Sequence, residues 1–259
     1  MTNQNIVFIH GAWVNAKCWE PFIGYFTAKG YDCTAPDWPY DDRPIAELRA
    51  NPAPELAQLG VQEMVTHYAA IISQMPEPPI IIGHSFGGLF TQILLDRGLG
   101  RVGVALDSAP PKGVLPTPGV IKGSFEPLST WQGWKKILTM SPKTFATTFG
   151  NGFGDEAAAA YEKYAIPTPG RLFFQGATAL FHNALAVNFK NPLRAPLLMT
   201  AGGQDRILPT NAIRANYKKY ANATAQTDFV EFPDRSHTLI MEPGWEEVAE
   251  AIFNWLQQF

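Results

Sequence analysis

The pattern with the most chemistry in this chain surrounds a serine. Residues 83–88 read GHSFGG, directly after the apolar run at 79–82 and directly before an apolar-periodic stretch at 89–96. A G-x-S-x-G sequence between a strand and a helix predicts a sharp turn that exposes the serine hydroxyl, with glycines where strand and helix approach closely. We therefore expect Ser85 to act as a nucleophile; the alternative is a serine that only caps the helix.

A nucleophilic serine requires a base, because its hydroxyl is a weak nucleophile at neutral pH. His237 is the best candidate of the five histidines, since it lies in the polar loop 234–238, after an apolar run and before the last helical pattern. The remaining histidines lie at strand ends, on a helix or in an inserted segment, and are less suitable: His10, His84, His67 and His182.

An acid must orient the base. Asp205 follows the apolar run at 196–199 and gives the chain order Ser85, Asp205, His237, which separates one class of serine hydrolases from the others. Asp107 directly follows the run at 102–106 and is the rival acid, since its carboxylate could occupy the same space beside the histidine as that of Asp205. We favour Asp205 and keep Asp107 as the alternative.

Donors for an anionic tetrahedral intermediate complete the expected site. Residues 10–13 read HGAW at the end of the first apolar run. A backbone N–H there can join the N–H of the residue after the nucleophile in stabilising the oxyanion. These two groups are the amides of Ala12 and Phe86.

The elements that must position these groups alternate along the chain. Short apolar runs occur at 6–9, 80–82, 102–106, 196–199 and 229–232, with a weaker sixth at 31–34. Helical spacing of apolar residues occurs between them, most clearly at 61–75 and 245–256. Strands alternating with amphipathic helices predict an α/β fold with a mostly parallel six-stranded sheet, flanked by helices on both faces.

One segment interrupts this alternation. Residues 112–193, called the insert, contain no convincing strand but many aromatic residues among helix formers, prolines and glycines. The insert is too long for a bare loop, so we expect a helical cap over the carboxyl ends of the strands, on a core formed by residues 1–111 and 194–259. An apolar substrate pocket is expected there, with Trp13, Trp131 and Trp134 as candidate lining residues.

Composition limits the partners. The chain has 259 residues, a formal net charge of −3 and 46% hydrophobic residues, with no basic stripe for nucleic acid or an anionic membrane. Two cysteines and a polar N-terminus without a signal peptide favour the cytoplasm, and no cluster of Cys and His predicts a metal site. Nothing in the sequence indicates the oligomeric state.

The motifs resemble those of the α/β-hydrolase superfamily over essentially the whole chain. The resemblance rests on four motifs: HGAW at 10–13, GHSFGG at 83–88, GGQD at 202–205 and SH at 236–237. Within the superfamily, the chain is similar to the compact branch of plant methyl esterases and hydroxynitrile lyases. The resemblance implies a Ser85–Asp205–His237 triad, oxyanion donors at Ala12 and Phe86, a helical cap and no cofactor.

Departures from that branch narrow the chemistry. Hydroxynitrile lyases in it carry threonine after the first histidine and lysine after the catalytic one, whereas this chain has Gly11 and Thr238. The resemblance therefore implies ester hydrolysis rather than cyanohydrin cleavage. Serine at position 85 also differs from the aspartate of dehalogenases and epoxide hydrolases.

The leading interpretation is a cofactor-free serine carboxylesterase that acts on small to medium hydrophobic esters through an acyl-enzyme at Ser85. The same groups would also suit hydrolysis of a lactone, a thioester or a carbon–carbon bond, or a cofactor-free haloperoxidase or perhydrolase. An alternative of another class is a ligand receptor that keeps the triad and a capped pocket but shows little turnover. In each case the expected partner is a small hydrophobic ester or related carbonyl compound.

Overall fold

The main element of the fold is a parallel sheet, seen in a computed structural model that describes residues 4–115, 120 and 125–259. The strands are β1 (Asn5–Ile9), β2 (Asp32–Thr34), β3 (Ile80–His84), β4 (Val102–Leu106), β5 (Ile137–Leu138), β6 (Thr168–Pro169), β7 (Leu197–Gly202) and β8 (Thr227–Phe232). Six of them form one sheet in the order β2-β1-β3-β4-β7-β8, and every neighbouring pair is parallel. The predicted six-stranded sheet is confirmed.

The central strands are covered on both faces. Every residue of β3, β4 and β7 is buried. Continuous apolar runs suit such strands because neither face meets water. The register pairs Ile9 with Gly83 and His84 with Leu106, so β1, β3 and β4 end at the same edge. The loops that follow these strands are therefore neighbours.

Helices connect and cover the strands. They are α1 (Glu20–Ala28), α2 (Ile45–Ala50), α3 (Val61–Ile72), α4 (Phe86–Asp96), α5 (Phe125–Ser129), α6 (Pro142–Thr144), α7 (Ala157–Tyr164), α8 (Gly170–Ala177), α9 (Thr210–Lys219) and α10 (Trp245–Leu256). Helix α3 packs on α4, and α1 packs on α10. In the part of the chain that the structure describes, no helix has the length and apolarity needed to cross a membrane.

The insert differs from its prediction in one respect. It contains the short antiparallel pair β5 and β6, with Ile137 opposite Pro169 and Leu138 opposite Thr168. Strands of two residues are too short for the alternation that predicts a strand, and their pairing depends on distant residues. The rest of its described part consists of α5 to α8, single 3₁₀ or π turns and loops, as expected of a mainly helical segment.

Candidate active site

The turn after β3 places Ser85 at the start of α4. Ser85 has φ 57° and ψ −118°, a conformation that side chains disfavour. The strand and the helix are too close here for side chains at positions 83 and 87. A Cβ on Gly83 would overlap the Gly87 carbonyl oxygen, and one on Gly87 would overlap the carbonyl oxygen of Ile9. Both glycines are thus required by the close approach that the motif predicts.

Backbone strain continues along this edge of the sheet. Trp13, beyond the end of β1, has φ 71°, and Asp107, directly after β4, has φ 42°. Such conformations cost about 1–3 kcal/mol each and persist only where the surroundings fix them. The Trp13 N–H donates to Thr168 Oγ1 at 2.8 Å, and the Trp13 carbonyl accepts from the Ile166 N–H at 2.9 Å. The insert therefore holds the loop after β1 in its strained form.

His237 and Asp205 form a buried pair beyond the ends of β8 and β7. His237 Nδ1 lies 2.7 Å from Asp205 Oδ2, and neither side chain is accessible to solvent. The other Asp205 oxygen accepts hydrogen bonds from the Ile207 and Leu208 N–H groups at 2.6 and 2.8 Å. Burial alone would raise the pKa of Asp205, but His237 and these donors hold that pKa below its usual range.

This pair leaves one imidazole nitrogen for chemistry. An ionised Asp205 favours the tautomer with Nδ1 protonated, so Nε2 is the acceptor. His237 Nε2 is buried and has no hydrogen-bond partner among the described residues. His237 and Ser85 line the same cavity, so the histidine with this free acceptor and the serine face one space.

Asp107 lies beside the pair rather than within it. Its Oδ1 accepts a hydrogen bond from the Gly202 N–H at 2.9 Å, and its buried Oδ2 has no partner in the described part of the chain. Burial and the neighbouring Asp205 charge raise the pKa of Asp107 well above its usual range. Of the two aspartates considered for orienting His237, Asp205 makes the contact.

A buried glutamate holds the loop that carries His237. Glu242 is 1% exposed and accepts hydrogen bonds from the Ser236 N–H and the Thr238 hydroxyl, both at 2.8 Å, and from the Ser236 hydroxyl. These residues flank His237, so Glu242 fixes the chain on both sides of it. This role of Glu242 was not predicted from the sequence. The available signal was a lone carboxylate after the apolar residues 239–241, close behind a Ser-His-Thr run.

Two further histidines support the site without titrating near neutral pH. His84 Nε2 donates to the His237 carbonyl oxygen at 2.6 Å, and burial followed by the proximity of His237 lowers the pKa of His84 to about 3. His10 donates from Nδ1 to the Gly11 carbonyl at 2.9 Å and accepts the Trp38 N–H at 3.2 Å. Burial lowers the pKa of His10 to about 4. The hydrogen bond from His84 to the His237 backbone was not anticipated.

The two other candidate bases lie elsewhere. His67 Nε2 is 3.0 Å from the Asp37 carbonyl oxygen, and His182 Nε2 is 3.1 Å from Thr178 Oγ1. Neither belongs to the described lining of the cavity that holds Ser85. Of the five histidines, the structure brings His237 to that cavity.

The cavity has a volume of about 260 Å³ and an apolar wall. Besides Ser85 and His237, its described lining consists of Ala12, Trp13, Phe86, Ala109, Pro110, Val114, Val120, Leu128, Phe149, Phe173, Gly176, Ala177, Ile207 and Leu208. No side chain with a formal charge occurs in this described set. The cavity therefore suits an uncharged, largely apolar molecule.

One of the three tryptophans expected to line the pocket does so. Trp13 is 5% exposed and stacks on Phe173 with ring centroids 4.9 Å apart. The expectation for Trp131 and Trp134 is wrong, because these side chains are 80% and 43% exposed and lie outside the described lining. They sit on a surface turn of the insert, where Trp134 packs edge-on against Phe174.

Both expected oxyanion donors lie at the cavity. Ala12 and Phe86 line it together with Ser85. Phe86 is the first residue of α4, so its N–H has no acceptor within the helix and stands at the positive end of the helix dipole. The two residues whose amides are the predicted donors thus line the same cavity as the predicted nucleophile.

Three of the site residues have the types that bind cations. One atom each of Asp107, Asp205 and His237 lies within 4.8 Å of the others. A cation bound there would displace the hydrogen bond between His237 Nδ1 and Asp205 Oδ2, and the second Asp205 oxygen already accepts two N–H groups. The trio fits a hydrogen-bonded network better than a cation site.

A parallel sheet with a strained serine turn after one strand and a histidine–aspartate pair after two others is the arrangement of an α/β hydrolase. The chain belongs to the alpha/beta hydrolase family, whose model matches residues 6–251. The resemblance inferred from the motifs is confirmed, and family membership supports a hydrolase. A comparison with curated proteins finds no match.

Solved structures share this fold over nearly the whole chain. A methylesterase from Arabidopsis is 15% identical, with a TM-score of 0.70 and coverage of 99% of this chain and 100% of its own. Tomato methylketone synthase I in complex with 2-tridecanone is 16% identical, with a TM-score of 0.72 and 100% coverage of both chains. A monoacylglycerol lipase from Paleococcus ferrophilus is 22% identical, with a TM-score of 0.67 and coverage of 97% and 93%. Likeness at this identity establishes the fold.

Proposed function

We propose that the protein is a cofactor-free serine carboxylesterase that acts on small to medium hydrophobic esters through an acyl-enzyme at Ser85. The observation that carries this proposal is the buried His237–Asp205 pair, with Nδ1 and Oδ2 2.7 Å apart, whose histidine lines the same apolar cavity as Ser85. A nucleophile, a base and an orienting acid are the three groups that acyl transfer requires.

The reaction would proceed in two stages. Ser85 Oγ attacks the ester carbonyl while His237 Nε2 takes its proton, and Asp205 stabilises the resulting imidazolium through Nδ1. His237 then gives this proton to the leaving oxygen of the ester. The alcohol departs, and the acyl group remains bound to Ser85. Water, activated by the same histidine, releases the acid and restores the enzyme.

The amides of Ala12 and Phe86 would stabilise the oxyanion of both tetrahedral intermediates. Their positions at the cavity beside Ser85 support this role. Preorganised amides are effective in such a dry site because they need no reorganisation as charge develops. The Phe86 N–H adds the favourable end of the α4 dipole.

The substrate class follows from the cavity and the insert. We propose that the insert is a cap on the core of residues 1–111 and 194–259, with Leu128, Phe149 and Phe173 contributing to the cavity wall. The described part of the wall is apolar and has no side chain with a formal charge, which favours uncharged acyl and alcohol groups. Methylketone synthase I, similar in fold, is known with the apolar ketone 2-tridecanone.

Close packing behind Ser85 supports ester hydrolysis over cyanohydrin cleavage. A Cβ on Gly11 would lie 2.6 Å from Ser85 Cβ and 3.2 Å from Ser85 Oγ. The threonine that hydroxynitrile lyases carry at this position would therefore require Ser85 to move. Thr238 stands in place of their lysine, so position 238 supplies no cation for a cyanide leaving group.

The test is turnover on a panel of p-nitrophenyl esters, lactones and thioesters. We expect multiple turnovers on hydrophobic esters, and a loss in kcat on the order of 10⁴- to 10⁶-fold in Ser85→Ala without loss of fold. Ser73→Ala, which removes an exposed serine, is the matched control. Stoichiometric binding without turnover would favour a receptor, and an unaffected Ser85→Ala enzyme would refute the acyl-enzyme.

A further inference from the structure

Two carboxyl groups meet beneath His237. Asp107 is fully buried, and the Asp205 side chain has no access to solvent. An oxygen of each and a ring nitrogen of His237 lie within 4.8 Å of one another. Two carboxylates this close in an apolar interior do not both ionise, because each disfavours the charge of the other and water cannot screen them. One of the two must therefore hold a proton.

The hydrogen bonds decide which one holds it. Asp205 accepts from His237 Nδ1 and from the N–H groups of Ile207 and Leu208, so its charge is stabilised by three donors. Asp107 accepts from the Gly202 N–H alone, and its Oδ2 meets no donor among the described residues. Donors stabilise the ionised form of an acid. The charge belongs on Asp205.

The other titratable groups nearby agree with this distribution. The negative charge of Glu242 disfavours a further charge on Asp107. His84, on the other side of His237, is neutral because burial lowers its pKa to about 3. Of the two histidines beside this pair, His237 is the one that could supply a cation to Asp107, and it already faces Asp205.

We propose that Asp107 stays protonated in the folded protein and donates a hydrogen bond through Oδ2 to the Asp205 carboxylate, as a positioning residue for the acid that holds His237. This inference rests on the proposed roles of Asp205 and His237. It gives the otherwise unpartnered Asp107 Oδ2 an acceptor and leaves Oδ1 on the Gly202 N–H. No proton leaves Asp107 during turnover; it spreads the Asp205 charge and fixes its orientation.

The matched variants are Asp107→Asn and Asp107→Ala. An asparagine carries an oxygen for the Gly202 N–H and an N–H for Asp205, so it reproduces the protonated acid; it also tolerates positive φ better than most residues. We expect it to retain kcat/KM within a few-fold, whereas Ala, which lacks the donor, should lose about 10- to 100-fold. Without that donor Asp205 holds the protonated imidazole more strongly, so the acidic limb of the kcat/KM profile should move to higher pH in the Ala variant alone.

An infrared measurement tests the proton independently of turnover. The spectrum of the wild type minus that of Asp107→Asn, recorded near neutral pH, should show the C=O stretch of a buried carboxylic acid. A signal from Asp41, whose pKa burial raises to about 8, cancels in this difference. If the band is present but no ester is turned over, the protonated Asp107 stands and the proposed function fails.

Three results would contradict the inference. The first is a difference spectrum without a carboxylic acid band. The second is a loss of kcat in Asp107→Asn as large as that in Asp205→Asn, which would make Asp107 an ionised acid of the triad. An acidic limb that stays in place in Asp107→Ala would also contradict a hydrogen bond to Asp205.

Discussion

Replacing Glu242 with alanine removes the group that holds the His237 loop. The Glu242 carboxylate accepts the Ser236 N–H and the Thr238 hydroxyl, each at 2.8 Å, and the Ser236 hydroxyl. The two hydroxyls also lie 3.0 Å from one another, so they can partly compensate for its loss. The Ser236 N–H is buried and would lose its acceptor.

The expected loss follows from these bonds. Hydrogen bonds to a charged group contribute about 1.5–3 kcal/mol each, and with compensation between the hydroxyls about two of the three are lost outright. The free energy of unfolding should therefore fall by about 3–6 kcal/mol. At about 2–4 °C per kcal/mol for a chain of this size, Tm should fall by about 6–24 °C. A displacement of His237 near 1 Å would lower kcat by about 100-fold.

The assay is urea unfolding followed by circular dichroism, with kcat on a short p-nitrophenyl ester below the unfolding range. Glu250→Ala, which removes an exposed glutamate of α10, is the control and should change neither quantity. Glu242→Gln keeps the shape of the side chain and should fall between the two. If Glu242→Ala matched Glu250→Ala in stability and kcat, the reasoning about the loop would be refuted.

Three further outcomes are expected. Asp205→Asn should lower kcat by about 10⁴-fold, because an amide N–H facing Nδ1 of His237 moves the ring proton to Nε2; a kcat near wild type would contradict this. Burial raises the pKa of Asp41 to about 8, so between about pH 4 and pH 8 the folded state keeps a proton that the unfolded chain has lost, and stability should fall across that range and level off above it. Asp41→Asn should flatten this decline in urea midpoints, and an unchanged slope would count against it. In a series of p-nitrophenyl esters, each methylene of the acyl chain that fits the cavity should add about 0.8 kcal/mol, or roughly fourfold in kcat/KM. Leu128→Phe should end this gain at a shorter acyl chain, while Trp131→Ala, which changes an exposed residue, should leave the series unchanged. Equal effects of the two variants would show that acyl chains bind outside this cavity.

The central strands of the sheet were predictable because they are buried on both faces. Runs such as 80–82 and 102–106 are short and continuously apolar, which is typical of a parallel strand that is covered on both faces. The spacing at 245–256 likewise matches α10 from end to end. In contrast, β5 and β6 have two residues each and pair across the insert, so no local pattern marks them.

The central site residues were predictable for a related reason. Ser85, Asp205 and His237 each follow an apolar run, and the topology of a parallel sheet then brings the ends of such runs together. The contacts of Glu242 and His84 arise only when the loops have folded, and local sequence carries little trace of them.

The pocket wall was predicted less well. Aromatic residues indicate that a segment has an apolar side, but composition does not say which of its residues face the core. Phe149 and Phe173 face the cavity, whereas Trp131 faces solvent. Deciding between them needs the orientation of each short helix and turn, which depends on packing between distant segments.

The tie between Trp13 and the insert has a consequence for the order of folding. Trp13 and Thr168 are 155 residues apart in sequence, and their hydrogen bond closes a loop that contains much of the chain. Contacts of such long range form late, because the entropy of closing the loop must be met first. The preceding residue, Ala12, carries one of the proposed oxyanion amides. A folding intermediate with a complete sheet but an undocked insert would therefore have Ser85 in its turn after β3 while the loop after β1 is still unordered. The proposed catalytic site would then be completed only in the last folding step.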